Sequence, residues 1–174
     1  MSYGFGYGIG TMLLASPVTR AVAGALEELS PNKIVTIESF SADGKSTGVD
    51  RVAKIVKTNA EWSKKLSAEV YRITRAGEAD KPYTGKYWNS HADGIYRCVC
   101  CDTALFDNVN KYESGTGWPS FLAPISVFNV AVDNQKLSCN RCDARVGHLY
   151  GDGPGEKGLR YSAYTLALNF VPKA

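Results

Sequence analysis

Two C-x-x-C pairs, Cys98 with Cys101 and Cys139 with Cys142, constrain this chain of 174 residues more than any other feature, and residues 102–138 separate them. A two-residue spacer lets the backbone turn so that both sulfurs of a pair point at one tetrahedral centre about 2.3 Å away. Four thiolates then close the shell and leave no open position for chemistry. The expectation is one structural Zn2+ per chain, whose binding contributes folding energy. The intervening segment is longer than in a compact zinc ribbon, so the ion would staple two hairpins from distant parts of a larger β domain. Two disulfides or four free thiols are the alternatives. A fifth cysteine, Cys100, sits inside the first pair and suits metal binding better than an even disulfide framework. Cys100 itself reads as a small buried hydrophobe, with a substitute ligand or a reactive thiol as the other options.

Composition bounds the rest. With 44% hydrophobic and 21% charged residues, the chain is neither disordered nor collagen-like, and its length suits one domain plus an extra segment. The net charge of +3 comes from 20 basic and 17 acidic residues without a basic block, so nucleic acid is not an expected partner. No charged residue precedes Arg20. Residues 1–19 are apolar and small, but Gly4, Gly6, Gly8 and Gly10 alternate with Tyr3, Phe5, Tyr7 and Ile9, which weakens helix and strand preference alike. The stretch falls short of the roughly 20 apolar residues that cross a bilayer and has no positive leader region. Three readings stay open: a cleavable or mobile targeting remnant, a segment inserted into a partner or lying on a membrane, and a spanning helix.

Ser16-Pro17 is a helix start, and Val18, Val22, Ala25 and Leu29 share one face before Ser30-Pro31 ends the helix. Residues 33–40 read as a strand and 41–48 as a turn-rich loop, whereas 49–57 fit a strand or a helix equally. Trp62 and Leu66 stand one helical turn apart, and Ser67 can cap a second short helix ahead of Gly77. From Gly94 onward the pattern is short strands: 95–99, 104–106, 125–132, 146–150 and 161–170. Three parts follow: residues 1–16 as a charge-free segment, 17–58 as an extension, and 59–172 as a mainly β domain.

Around the cysteines stand further ordered motifs: EWSKKLSAEVYRITR, YTGKYW, DGIYRCVCC, KYESGTGWPSF, CNRCDARVGHLYGDGP, GLRYS and LNFVP. Together they resemble the methionine-R-sulfoxide reductase B family over about residues 59–172. The resemblance implies two twisted antiparallel β-sheets with short N-terminal helices, stapled by a four-cysteine zinc site. It also implies a chemistry. Family enzymes use a cysteine in an R-Y-C-x-N motif of the C-terminal strand, whose thiolate attacks the sulfoxide sulfur, releases methionine and becomes a sulfenic acid that a thiol then reduces. A tryptophan holds the substrate methyl, and histidines with an asparagine orient and protonate the sulfoxide oxygen.

Carried over position by position, Trp118 matches the tryptophan and His148 the second histidine of a D-A-H-L-G-H motif. The nucleophile position holds Ser162, the first histidine is Arg145, and the asparagine is Tyr164. Thr116 stands where many members carry a recycling cysteine. A serine hydroxyl has neither the accessible anion nor the soft nucleophilicity of a thiolate and forms no sulfenic acid, so the family reaction should be abolished. Ser162 alone would suit a laboratory replacement of a reactive cysteine, but Arg145 and Tyr164 alter the same pocket and point to natural divergence; an altered chemistry is the remaining option.

Two function classes follow from this set. In one, the chain reduces or at least binds an oxidised methionine peptide. In the other, it is a catalytically silent subunit of a protein complex, contacted through residues 1–19, with a membrane-embedded complex as one form of it. Arg145, His148 and Arg160 would make the pocket more cationic than in relatives and open to an anionic ligand, unless Arg145 and Tyr164 simply fill the old cavity. A thiolate zinc centre beside a spare Cys100 is best preserved in a reducing compartment such as the cytosol, stroma or matrix.

Overall fold

A computed structural model describes residues 33–173. The charge-free segment 1–19 and the helix expected from Ser16-Pro17 to Leu29 lie outside the described residues. Among the described residues, no helix is long and apolar enough to cross a membrane.

The chain opens with a hairpin of β1 (Ile34–Phe40) and β2 (Ser46–Ala53), whose antiparallel register runs from Ile34 opposite Ala53 to Phe40 opposite Ser46. The segment 49–57, which periodicity left undecided, is thus mostly strand, because pairing with β1 decides what a short sequence window cannot. Helix α1 (Asn59–Lys65) begins at a capping box in which the Thr58 N–H donates to Glu61 Oε2 at 2.8 Å and the Glu61 N–H donates back to Thr58 Oγ1 at 3.3 Å. Ser67 caps α2 (Ala68–Thr74) through the Val70 N–H, as its sequence position predicts. Buried Trp62 and Ile73 are the apolar faces these two short helices present to the body of the domain.

Nine strands follow. They are β3 (Gly94–Cys98), β4 (Ala104–Asp107), β5 (Lys111–Tyr112), β6 (Ser120–Phe121), β7 (Val130–Asp133), β8 (Lys136–Cys139), β9 (Arg145–Tyr150), β10 (Arg160–Ala163) and β11 (Leu168–Pro172). They form a three-stranded sheet in the order β11-β3-β4 and a six-stranded sheet in the order β5-β6-β10-β9-β8-β7. Every described pairing is antiparallel. The mainly β, two-sheet expectation therefore holds, with the N-terminal hairpin as an addition. Between the sheets, Phe106 of β4 stacks on Phe121 of β6 with centroids 4.4 Å apart, and Tyr96 of β3 meets Phe121 edge-on at 5.2 Å.

Three sequence expectations change. The turn-rich loop proposed over 41–48 ends at Lys45, because Ser46 pairs with Phe40 and opens β2. The strand proposed over 125–132 begins only at Val130, because the Asn129 N–H donates to the Ser126 carbonyl in a turn. The stretch proposed over 161–170 is two strands in different sheets, parted by a 3-10 turn at Thr165–Ala167 in which the Ala167 N–H donates to the Tyr164 carbonyl.

The hairpin is seated by polar contacts from its β1 side. Fully buried Asn129 accepts from the Glu38 N–H at 2.9 Å and donates from Nδ2 to the Glu38 and Ala104 carbonyls, each at 2.8 Å. One amide side chain thus replaces a neighbouring strand. Asn140 Nδ2 donates to the Thr36 carbonyl at 3.3 Å, the Ile55 N–H donates to the Arg141 carbonyl at 2.8 Å, and Lys54 pairs with Asp143 at 2.6 Å. All three of these partners belong to or adjoin the second cysteine pair.

Candidate functional site

The two cysteine pairs meet. Cys98 closes β3 and Cys139 closes β8, and in each pair the chain turns back through an aspartate in the left-handed region, Asp102 at φ 63° and Asp143 at φ 57°. The hydrogen bonds repeat as well. The Cys98 N–H donates to Thr103 and the Asp102 N–H to Cys98, while the Cys139 N–H donates to Ala144 and the Asp143 N–H to Cys139, at 2.8–2.9 Å. The four sulfurs lie within 4.8 Å of one another, with Cys98 to Cys142 at 3.7 Å and Cys101 to Cys139 at 3.5 Å. Tetrahedral bonds of about 2.3 Å would place sulfurs roughly 3.8 Å apart, so the set fits one metal ion. Crowding by the other thiols, and then burial, pushes the Cys98 thiol well up from its ordinary value. The same mutual contacts push the Cys101 thiol the other way, so the set titrates jointly, and four thiolates in so small a volume need a cation. Cys100 is 2% exposed, consistent with its reading as buried.

The second cluster lies on β9, β10 and the loop before β6. Ser162 of β10 stands opposite His148 of β9 and Ser120 of β6, so the three share one face of the six-stranded sheet. Strands β9 and β10 approach closely because Gly147 has no side chain: a Cβ there would lie 1.9 Å from the Ser162 carbonyl oxygen. Tyr164, 6% exposed, places its hydroxyl between two residues of β9. Arg145 Nη2 donates to the Tyr164 oxygen at 3.0 Å, and His148 Nδ1 lies 3.0 Å from the same oxygen. The phenol oxygen has two lone pairs, so it accepts from Arg145 and either donates to Nδ1 or accepts from an Nδ1–H, and a neutral imidazole serves both arrangements. The electrostatics agree: burial, then the Arg145 and Lys136 charges, lowers the His148 pKa. Burial raises the Tyr164 pKa, with Arg145 partly opposing it. Arg145 also donates to the Gly77 carbonyl, which ties the loop after α2 to β9.

Trp118, in the Gly115–Pro119 turn ahead of β6, is held by a residue that sequence reasoning missed. Its Nε1–H donates to Asp80 Oδ1 at 2.8 Å, while Asp80 Oδ2 accepts from the Leu166 N–H at 3.2 Å. Burial pushes the Asp80 carboxyl up, against the lowering effect of these donors. The only sequence signal was an acidic residue just before Pro82, which does not reveal a partner 38 positions away. A cavity of about 450 Å³ opens beside Asp80, lined by Arg72, Ile73, Glu78, Lys81 and Leu166 among others, but Trp118, His148 and Ser162 do not line it. Arg160 does not stand free as an anion receptor: it grips Asp152 with both donors at 2.8 and 2.9 Å, stacks over Tyr150, and lowers the Asp152 pKa through those hydrogen bonds.

Known proteins match this layout. A SelR domain model matches residues 66–172. "Peptide methionine sulfoxide reductase MsrB" of Herminiimonas arsenicoxydans is 41% identical over 125 residues, 67% of this chain and 91% of the relative, and the protein of the same name from Acinetobacter baylyi is 42% identical over 125 residues, with 67% and 90% covered. "Peptide methionine sulfoxide reductase B1, chloroplastic" of Arabidopsis thaliana is 37% identical over 151 residues, 79% of this chain and 75% of the relative. The β1–β2 hairpin precedes the stretch that the domain model covers. With the two-sheet fold, the clustered cysteines and these similarities together, the chain belongs to the methionine-R-sulfoxide reductase B family.

Proposed function

We propose that this chain is a zinc-binding member of the family that no longer reduces methionine sulfoxide and acts as a binding or structural subunit of a larger assembly. The observation that carries the reading is the Arg145–Tyr164–His148 network beside Ser162. The family reaction needs a thiolate that attacks the sulfoxide sulfur, releases methionine and keeps the oxygen as a sulfenic acid; Ser162 offers only an alcohol. It also uses histidines to meet the sulfoxide oxygen; here Arg145 replaces one of them and the Tyr164 hydroxyl engages Nδ1 of the other, leaving only its Nε2. The two replaced residues satisfy each other, so they read as one joint change that fills the pocket and not as two separate losses. Zinc is the metal of choice for a closed set of four thiolates. The same thiolates favour a reducing compartment, and residues 1–19 are the proposed contact with a partner protein, membrane-embedded or not.

A second reading keeps the enzyme. Trp118 remains anchored and His148 keeps its place, so a cysteine at position 162 would restore the missing nucleophile. The full chain and its Ser162→Cys variant are to be assayed with dithiothreitol on a peptide containing methionine-R-sulfoxide. No turnover by either, with about one zinc per chain, is the expected result. Turnover by the unaltered chain would refute catalytic silence, and rescue by the cysteine alone would favour the second reading.

A further inference from the structure

Resting on the zinc reading, a further assignment concerns what surrounds the metal. Four thiolates and a divalent ion leave two net negative charges in a mostly buried place, and such a centre is held by donors outside the coordination shell as well as by its ligands. Three cations from residues 54–75 approach it. Lys65 Nζ donates to the Cys100 carbonyl at 3.2 Å, Lys54 pairs with Asp143, and Arg75 reaches a ligand itself. Arg75 Nη1 donates to the Cys142 carbonyl at 2.7 Å, and Nη2 lies 3.5 Å from Cys142 Sγ. The guanidinium carbon stands 3.8 Å from the centroid of the Trp62 ring, and Trp62 is 2% exposed.

Arg75 directly follows α2, where a cation would ordinarily serve the helix C-terminus by turning back on its last carbonyls. Instead its planar head spans to a residue 67 positions later, and indole stacking fixes its orientation. A lysine can supply charge but not this two-point grip with a stacked face. We infer that Arg75 is a positioning residue of the zinc centre: clamped on Trp62, it holds the Cys142 thiolate in its ligand position by donating to both its carbonyl and its sulfur. Donation to the sulfur fixes the thiolate's direction and makes the site harder for competing chelators to strip.

The test uses the full zinc-loaded chain and its Arg75→Ala and Arg75→Lys variants, with Lys86→Ala as a control for loss of a surface cation. Zinc transfer to a chromophoric chelator is followed, and the thiolate-to-metal charge-transfer band is recorded after cobalt substitution. Arg75→Ala should weaken zinc retention by roughly 10–100-fold. Arg75→Lys should fall between it and the unaltered chain, and both should shift the cobalt band while the control does not. A purely structural role would leave the band in place. If the alanine variant does not fold, the lysine variant decides. Zinc retention and a band position matching the unaltered chain in a folded Arg75 variant would overturn the assignment. An unaltered chain that retains no zinc would instead refute the zinc reading on which it rests.

Discussion

Tyr164→Phe tests the filled pocket with the least disturbance, since it keeps the ring and removes only the oxygen. The lost interactions are the Arg145 bond and the His148 bond, each at 3.0 Å, around a side chain that is 6% exposed. A neutral bond contributes about 1 kcal/mol net and one from a charged donor about 1.5–3 kcal/mol. The Arg145 contact with the ring face, 5.4 Å from the centroid, survives in phenylalanine, as does the Arg145 bond to Gly77. The expected loss is therefore about 2.5–4 kcal/mol, a large fraction of the 5–15 kcal/mol typical of a domain. Urea titration of the two proteins, compared at equal m value, measures it. A second readout is the imidazole itself. Burial and the Arg145 and Lys136 charges, which the substitution leaves in place, depress the His148 pKa, so its midpoint, followed by NMR, should stay below the ordinary histidine value. A stability change below about 0.5 kcal/mol would refute the coupling of Arg145, Tyr164 and His148.

Other perturbations probe the scaffold. Asn129→Ala removes three bonds of 2.8–2.9 Å and strands a buried Ala104 carbonyl, so it should cost about 3 kcal/mol and speed amide exchange in β1 and β2 ahead of the body; unchanged protection there would contradict the seating described. Gly147→Ala drives a Cβ to 1.9 Å from the Ser162 carbonyl and should part β9 from β10, read as a fall of several degrees in Tm. Because the native His148 pKa lies below the unfolded value of about 6.5, its contribution to stability is intact above that value and lost as pH falls through the native pKa. His148→Gln should flatten the acid limb of stability measured between pH 7 and 4.

Local signals were legible where one residue decides the geometry. Ser67 as a helix cap and the two C-x-x-C turns needed no distant information. The limits were pairings across distance. Residues 161–170 look like one apolar strand because nothing in their alternation marks the 3-10 turn that hands the chain from one sheet to the other. The β7–β8 hairpin was invisible because its turn residues, Asn134 at φ 44° and Gln135 at φ 66°, include a glutamine that gives no turn signal. In the candidate site, Ser162, Arg145 and Tyr164 stood out as departures from a motif. That Arg145 and Tyr164 bond to each other over a separation of 19 residues is a property of the β9–β10 register, as is the anchoring of Trp118 by Asp80 a property of loop packing.

The repeated backbone bonding of the two cysteine turns bears on how the metal arrives. Each turn is closed by its own hydrogen bonds, so an ion meets two ready-made pairs of jaws and not four separate thiols. Once one pair captures it, the second capture is intramolecular, and its effective concentration is set by residues 102–138 and by how completely β4 to β8 have formed between them. A chain that has emerged from synthesis only past Thr103 would have the first turn closed but could hold an ion by two teeth alone. Retention then rises with folding of the intervening strands, which makes metal loading a late report on a finished sheet.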